Sequence, residues 1–284
     1  MKGRDIMKIG ANAFGLRTEF RSGYESAVDR LKGIGIDSLE VCIKFPTEEF
    51  RDETLPQGEE ARYAGIWETD EAARKIAYAR SKGLNVVSVH FMVSRYKGPK
   101  DGDMLISILP GLIDFAKENG IKYYVVSPMA TSDAIRPFID TIKIMSDKMA
   151  ENGITLLLHN HIYEFIKDGG ESAMDILLRE CPNLCLEFDV GWSRFIKNDP
   201  VRFIKDNAPR IKLIHFKDLL DELSDMEHIE ECTVAVGTGD LELKEIIEAL
   251  RDCDIIEDGY IIDQDLSDDI MRDLKIGAEN IRRL

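Results

Sequence analysis

The sequence has no apolar run that approaches the roughly 18 consecutive residues needed to cross a bilayer. Its first ten residues, MKGRDIMKIG, also lack the apolar core of a secretion signal. We therefore expect a cytoplasmic protein with no membrane partner.

Positive charge is scarce. The 37 lysine and arginine residues are outnumbered by 53 aspartate and glutamate residues, so the formal net charge at pH 7 is −16. A field of this sign repels the phosphate backbone of nucleic acids. The composition therefore predicts that nucleic acid is not a partner.

Cysteine is also sparse, and no CxxC pair is present. The five cysteines are Cys42, Cys181, Cys185, Cys232 and Cys253. An odd, scattered set suits a reducing compartment better than a disulfide framework. Cys181 and Cys185 have no partners for a zinc site, so we interpret them as small buried or turn residues.

What the sequence has instead is an alternation of two kinds of segment. Eight short runs are rich in apolar and β-branched residues, which is typical of strands buried on both faces. These runs are MKIGANAF, SLEVCI, NVVSVHF, KYYVVS, ITLLLHNH, LCLEFDV, IKLIHF and GYIIDQD. Segments with helical periodicity separate most of them, and several end in Gly or Asn-Gly, which stops a helix. They include ESAVDRLKGIG, DEAARKIAYARSKG, MLISILPGLIDFAKENG, IRPFIDTIKIMSDKMAENG and LKEIIEALRDC.

Eight strand–helix units in a chain of 284 residues predict an α/β fold, a single (β/α)8 TIM barrel that forms one domain over residues 1–284. The alternative is a doubly wound open sheet, but no GxGxxG follows the first strand, where a dinucleotide-binding fold needs it. Residues 44–70 form a long segment without helical periodicity. A loop of this length is typical of a lid or a binding loop.

Chemically reactive side chains concentrate at the ends of the predicted strands. The carboxyl ends of TIM-barrel strands form the face that bears the active site. The residues at these ends are His90 (third strand), His159 and His161 (fifth), Asp189 (sixth), His215 (seventh), and Asp263 and Asp265 (eighth). In a barrel they would line one cavity.

Four of these residues, His159, Asp189, His215 and Asp263, would surround that cavity. Two imidazoles and two carboxylates form a mixed nitrogen and oxygen set that suits Mn²⁺, Zn²⁺, Co²⁺ or Fe²⁺ better than Ca²⁺. Without a metal, each carboxylate could hydrogen-bond an imidazole instead. The sequence favours one metal site, with the polar network as the alternative.

Several longer motifs resemble a known family. They are NGITLLLHNHIYEF, LEFDVGW, IKLIHFKDL, VGTGDLELKEIIEAL and GYIIDQDLS. The pattern resembles the xylose isomerase-like TIM-barrel superfamily, in particular its sugar phosphate isomerase/epimerase branch. The succession of HFKD, GTGD and DQD is its most specific part. The resemblance runs from the first strand to the last helix and implies the barrel fold.

The resemblance implies one divalent metal, Mn²⁺ foremost, with Zn²⁺, Co²⁺, Fe²⁺ and Mg²⁺ as alternatives. The family pattern places its Glu, Asp, His and Glu ligands on His159, Asp189, His215 and Asp263. His159 and Asp263 thus replace the two glutamates that also move the substrate proton in the epimerases. A histidine that ligates a metal through one nitrogen cannot use that lone pair as a base. Asp263 is one methylene shorter than glutamate, so we expect it to reach the metal through a water molecule, or Asp265 to complete the site.

Three residues are predicted to transfer protons, namely Glu164, Lys217 and His161. The resemblance places an acidic residue near the substrate just beyond the fifth strand, which favours Glu164. The alternative for Glu164 is a surface loop carboxylate.

Lys217 lies two residues beyond His215 and should point into the same cavity. Its ammonium group could neutralise a developing oxyanion or bind substrate. Its alternative role is a salt bridge to Asp218 or Asp240.

Trp192 and His90 are predicted to bind substrate together with Lys217. Trp192 stands where the epimerases carry a histidine, and its indole offers a flat face to a sugar ring. Its alternative role is core packing. Asn12 and Glu40 are weaker candidates at the ends of the first two strands.

The glycines of GTGD could free backbone amides for a phosphate group. The alternative is a tight turn in which Asp240 caps the next helix. No cluster of Arg or Lys accompanies the motif, so an unphosphorylated substrate is equally allowed.

We therefore predict a divalent-metal-dependent sugar isomerase/epimerase that acts through an enediolate on a ketose, sugar phosphate or related carbohydrate. The alternatives are an inosose-dehydratase-like lyase and a metal- or sugar-binding barrel with little turnover. The expected partner is a small sugar or cyclitol. The resemblance also implies a homo-oligomer, because relatives are often dimers or tetramers.

Overall fold

A computed structural model describes residues 7–44, 66–86, 88–91, 99–167, 169–223, 232–255 and 259–284. Eight parallel strands form a closed barrel. They are β1 (Ile9–Asn12), β2 (Ser38–Lys44), β3 (Ser88–Phe91), β4 (Tyr123–Val126), β5 (Thr155–His159), β6 (Cys185–Asp189), β7 (Ile211–Phe216) and β8 (Tyr260–Ile262). Each strand pairs with the next along the chain, and β8 pairs with β1 to close the ring. The predicted TIM-barrel fold is confirmed, whereas its extent over residues 1–284 stays a prediction.

Helices surround this barrel in the described part of the chain. They are α1 (Arg17–Gly33), α2 (Thr69–Ser81), α3 (Pro99–Glu118), α4 (Ser132–Ile135), α5 (Ile139–Glu151), α6 (Ala173–Glu180), α7 (Val190–Phe195), α8 (Pro200–Asn207), α9 (Leu243–Asp252) and α10 (Ile270–Arg283). Among the described residues, none of the helices is both long and apolar enough to span a membrane.

The helix boundaries follow from local sequence. Gly83 and Gly153 lie just beyond α2 and α5 with φ of 79° and 75°, in the left-handed region that glycine enters without strain. At the start of α6, the side chains of Ser172 and Asp175 each accept a hydrogen bond from the other residue's backbone N–H. Such a capping box satisfies donors that the first helical turn leaves free.

The strands are apolar because they lie between two separate cores. Outward side chains, such as Leu156 and Leu158 of β5, join the large core between the barrel and its helices. Inward side chains of four strands form a separate cluster that includes Val125, Leu157, Leu213 and Ile261. We call this cluster the apolar floor. Nearer the carboxyl ends of the strands, the inward positions are polar.

The pairing of β6 with β7 contains a bulge. Leu186 pairs with Ile211, but the next pair is Glu187 with Leu213, so β7 has one extra residue at this point. At a bulge, the alternation of side chains between the two faces of the strand shifts by one residue. Beyond it, the polar residues at the ends of both strands point into the barrel.

Two segments differ from the sequence prediction. The helix predicted over residues 135–153 is divided, because a 3₁₀ turn at Arg136–Phe138 separates α4 from α5; Pro137 has no N–H to donate to a continuous helix. Part of the predicted irregular segment 44–70 is regular, since Ile66–Glu68 forms an additional strand parallel to β2. Residues 45–65 of the predicted lid lie outside the described residues, and the lid stays a prediction.

The GTGD segment folds around a side chain of the protein itself. The Asp218 carboxylate accepts hydrogen bonds of 2.7–3.0 Å from the backbone N–H groups of Leu219, Gly237, Gly239 and Leu241. These amides would have to hold a phosphate, so the phosphate-cradle interpretation is wrong.

The capping role considered for Asp240 is also wrong. Its Oδ2 accepts a hydrogen bond from the backbone N–H of Asp221, and Glu242 is the residue that precedes α9. Asp240 therefore ties two loops together.

We expect the Asp218→Asn substitution to lower the free energy of unfolding by about 3 kcal/mol, because the asparagine NH₂ group cannot accept the hydrogen bonds and leaves buried donors unsatisfied. Urea denaturation followed by circular dichroism measures this change. Asp240→Asn is the matched control and should cost less than about 1 kcal/mol, since one backbone amide is involved. Equal midpoints for the parent and Asp218→Asn would show that this carboxylate does not hold the loop.

Candidate metal centre

Four polar side chains meet above the apolar floor. His159 ends β5, Asp189 ends β6, His215 lies in β7 and Asp263 follows β8. All four are buried, and one nitrogen or oxygen atom of each lies within 4.8 Å of those of the others. The structure thus brings together the four residues nominated from the sequence, and their role as metal ligands stays a prediction.

Asp189 divides its two oxygens between the fold and this cluster. Oδ1 accepts a hydrogen bond of 2.7 Å from the backbone N–H of Trp192 and caps α7. Oδ2 is buried and has no hydrogen-bond partner in the described part of the chain. Burial raises the pKa of Asp189 to about 7, against the lowering effect of Lys217. A cation beside Oδ2 would stabilise the ionised carboxylate.

The two imidazoles differ in their electrostatic surroundings. Burial, reinforced by His215 and His161, holds the pKa of His159 well below its usual value, which leaves a neutral ring with a free lone pair. Burial acts in the same direction on His215, but Glu187 and Glu40 outweigh it and raise the pKa of His215 well above its usual value. His215 Nδ1 lies 3.5 Å from Asp263 Oδ2.

The residues fit a divalent cation. Asp189 Oδ2 and His215 Nδ1 are both buried without a hydrogen-bond partner among the described residues, and an unpaired buried polar atom is costly. Two imidazoles and two carboxylates also match the ligands that Mn²⁺ and Zn²⁺ accept. The alternative polar network explains the cluster less well, because Asp189 Oδ1 accepts the capping hydrogen bond from Trp192 N–H and Oδ2 bonds no imidazole among the described residues.

Lys217 is fully buried beside this cluster. Its Nζ lies 3.0 Å from Asp263 Oδ2 and 2.6 Å from Asp265 Oδ2. Burial alone would lower the pKa of Lys217, but the two carboxylates outweigh it and raise the pKa, so the side chain is an ammonium ion. Its partners are therefore Asp263 and Asp265, and the salt bridge considered from the sequence, to Asp218 or Asp240, is wrong.

Trp192 and His161 form one wall of the site. Their rings stack at 30° with centroids 5.9 Å apart, and Lys217 Nζ lies 5.1 Å from the Trp192 ring centre. Burial lowers the pKa of His161 to about 3, so its imidazole is neutral. Trp192 Nε1 and His161 Nδ1 are buried without hydrogen-bond partners among the described residues, which leaves two polar atoms for a ligand.

The wall depends on a glycine at the start of α7, where this helix packs against the end of β7. A Cβ atom at position 191 would lie 2.4 Å from the carbonyl oxygen of Lys217 and 2.7 Å from its Cβ. Gly191 therefore allows α7 to pack against the end of β7. This close approach keeps Trp192 beside Lys217.

Glu164 is buried, which rules out the surface-loop interpretation. Its two oxygens accept hydrogen bonds of 2.9 and 2.8 Å from the backbone N–H groups of Ala130 and His161. Burial raises the pKa of Glu164 to about 6 against these hydrogen bonds. The arrangement favours a role in positioning His161 over the predicted proton transfer, which stays untested.

His90, predicted to bind substrate, is buried in the structure. Its Nε2 is 2.7 Å from Ser127 Oγ, and its Nδ1 is 3.4 Å from Glu40 Oε1. Both ring nitrogens thus have protein neighbours, so the geometry favours a supporting role. Substrate binding by His90 stays a prediction.

Sequence reasoning overlooked Glu187 and gave too little weight to Glu40. Both are completely buried, and together with His215 they form a second cluster of potential ligands. The available signal was spacing, because Glu187 lies two residues before Asp189 and must point to the same face of β6. A glutamate inside an apolar strand needed an explanation that the strand-end argument did not supply.

Comparison with known proteins agrees with this geometry. Residues 27–264 match the family described as xylose isomerase-like TIM barrel. The chain belongs to this family. An inosose dehydratase from Lacticaseibacillus casei is 23% identical over 255 residues, which cover 84% of this chain and 80% of the relative.

Solved structures of the xylose isomerase-like fold are also similar. A sugar phosphate isomerase/epimerase from Parabacteroides distasonis ATCC 8503 superimposes with a TM-score of 0.74 at 17% identity, covering 99% of this chain and 96% of that one. The IOLI protein with a bound zinc atom gives a TM-score of 0.62 at 16% identity, covering 98% and 96%. Proteins similar to this chain thus include a sugar phosphate isomerase/epimerase and an inosose dehydratase.

Proposed function

We propose that this protein is a divalent-metal-dependent isomerase or epimerase that removes and returns a proton next to the carbonyl of a ketose or related carbohydrate. The convergence of His159, Asp189, His215 and Asp263, with buried atoms that lack partners, carries the proposal. Similarity to a sugar phosphate isomerase/epimerase and to a zinc-containing family member supports it.

The four converging residues would hold the metal. When bound, a divalent cation polarises the carbonyl of a sugar and acidifies the neighbouring C–H. We assign proton acceptance to the neutral His161, whose Nδ1 is uncommitted among the described residues, and proton donation to the Lys217 ammonium. Glu164 holds the backbone of His161 in place. Trp192 offers its ring to the C–H face of the sugar.

Dehydration is the second candidate. Elimination of water needs one base and one acid that protonates the departing hydroxyl. Lys217, fixed between Asp263 and Asp265, is an acid at the mouth of the barrel. The similarity to inosose dehydratases also favours this outcome.

Incubation with ketoses, sugar phosphates and inososes in D₂O, with Mn²⁺ and with EDTA, tests the proposal by NMR and mass spectrometry. We expect an isomer or epimer with deuterium at one carbon, and no exchange in EDTA. Loss of 18 mass units from the substrate would instead establish the dehydratase. Saturable sugar binding without exchange or water loss would contradict both enzymes and leave a binding barrel.

A further inference from the structure

Glu187 lies one layer below the proposed metal ligands. Its side chain is completely buried, as is that of Glu40 across the barrel. Burying a carboxylate costs several kcal/mol unless it has close partners. In the described part of the chain, the ion-pair partners of Glu187 are two histidines, His159 and His215.

Each oxygen of Glu187 faces a different ring. Oε2 lies 3.1 Å from His159 Nδ1, and Oε1 lies 3.2 Å from His215 Nε2. Neither Oε1 nor His215 Nε2 makes a well-aligned hydrogen bond to any described group, so the contact between them is an ion-pair contact. One carboxylate therefore touches both histidines of the proposed centre, and on His215 it faces the nitrogen opposite the one nearest Asp263.

Glu40 adds a second contact to one of these rings. Its Oε1 lies 3.3 Å from His215 Nε2 and also accepts a hydrogen bond of 2.7 Å from Asn12 Nδ2. Its other oxygen accepts a hydrogen bond from the Ser88 hydroxyl. Glu40 is thus held by neighbours of its own, whereas Glu187 contacts the two histidines and Glu40 itself.

We propose that Glu187 is the positioning residue that orients both histidine ligands of the metal centre. When Glu187 accepts hydrogen bonds from the N–H groups at His159 Nδ1 and His215 Nε2, Nε2 of His159 and Nδ1 of His215 are left to bind the metal. A carboxylate behind a ligating imidazole fixes the ring orientation and makes the ligating nitrogen more basic. This inference rests on the proposed function, because it concerns the same metal.

The spacing along β6 explains why one glutamate can serve two strands. Glu187 and Asp189 are two residues apart and point to the same side, one layer above the other. Glu187 pairs with His159 on β5 and with Leu213 on β7. From the middle strand, its carboxylate lies between the ring of β5 and the ring of β7.

The test compares metal binding by the parent and Glu187→Gln, measured by competition with a chelating dye for Zn²⁺ and by the visible spectrum of the Co²⁺ form. A glutamine amide accepts hydrogen bonds through one oxygen only, so it cannot orient both rings. We expect one equivalent of metal in both proteins, about 10- to 100-fold weaker affinity in the variant, and a changed Co²⁺ spectrum.

Three further variants make the result specific. Glu187→Asp keeps the charge but shortens the side chain, and its metal affinity should fall by a similar factor. If the glutamine variant fails to fold, this variant still tests the positioning role. Of the two histidine ligands, Glu40→Gln changes the surroundings of His215 alone, and it should have a smaller effect than Glu187→Gln. Asp273→Asn alters a buried carboxylate that contacts Ser267 and Arg272, and its affinity should equal that of the parent. Urea denaturation of each variant verifies the fold.

The outcomes separate the two proposals. Parent-like affinity and spectrum in a folded Glu187→Gln protein would overturn the positioning role and leave the proposed function intact. Two equivalents in the parent and one in Glu187→Gln would make Glu187 a direct ligand, which also overturns it. A parent that takes up no Zn²⁺, Co²⁺ or Mn²⁺ would overturn both.

Discussion

His215→Ala is expected to purify without the single equivalent of divalent metal that the parent should contain, and to lose turnover by about 1,000-fold. His215 supplies one of two imidazoles in the cluster, and three remaining protein ligands hold a metal only in a well-formed site. A bound Lewis acid supplies several kcal/mol of transition-state stabilisation, and each 1.4 kcal/mol corresponds to about a factor of ten in rate. Elemental analysis of the two purified proteins measures the metal content directly.

His161→Ala is the matched control for the metal measurement. His161 lies next to His159, with ring centroids 4.9 Å apart, but it is not one of the four converging residues. This variant should therefore retain about one equivalent of metal while its turnover falls. Equal metal loss in both variants would mean that removing any ring from this cavity empties the site, and the proposed ligand set would be wrong.

Lys217→Met is expected to destabilise the metal-free protein by about 3 kcal/mol, because it leaves the carboxylates of Asp263 and Asp265 without their cation. Saturation with Mn²⁺ should reduce this loss, since a metal bound by Asp263 would replace one of the lost charges. Turnover should fall by about 100- to 10,000-fold if Lys217 donates the proton. Urea denaturation with and without Mn²⁺, followed by steady-state kinetics, measures both effects.

Lys212→Met provides the comparison, because Lys212 lies in β7, the strand that Lys217 follows. The Lys212 ammonium donates to the carbonyl oxygen of Pro209, remote from the cluster, so its substitution should change stability by less than about 0.5 kcal/mol. If Lys217→Met costs the same with and without Mn²⁺, the metal does not bind at Asp263. Unchanged turnover in Lys217→Met would assign the proton donor to another group.

The barrel and the four converging residues could be predicted because both depend on local periodicity. Alternating strands and helices fix the fold class, and a residue at the end of a parallel strand must lie at the mouth of a barrel. His159, Asp189, His215 and Asp263 are four of the seven residues that this rule places there.

The partners of the site residues depend on contacts between distant parts of the chain, and no local pattern specifies them. Lys217 binds Asp265, which is 48 residues away. Glu164 accepts from Ala130, a residue in the loop beyond β4 that is 34 positions earlier. The predicted salt bridges of Lys217 failed because sequence proximity was used where the barrel brings β7 and β8 together.

Glu187 was not predicted from the sequence for a different reason. The prediction rested on residues at strand ends, whereas a metal centre is also supported by the layer of side chains beneath its ligands. The period of two that predicts the inward direction of Asp189 applies equally to Glu187. Its environment, two histidines from neighbouring strands, became apparent only from the structure.

The extra residue in β7 has a consequence for how this protein can change over evolutionary time. Removing the extra residue, Lys212, would restore regular alternation and leave Leu213 and His215 in their present pairing with β6. Removing a single codon beyond the bulge, such as that of Ile214, would instead turn His215 and Lys217 outward toward the helices and carry Phe216 into the barrel. Surface loops of the same chain can gain or lose several codons with little effect on the strands. Length variation should therefore accumulate in the loops and at the bulge, while the codon count from Leu213 to Lys217 stays fixed as long as the mouth of the barrel is under selection.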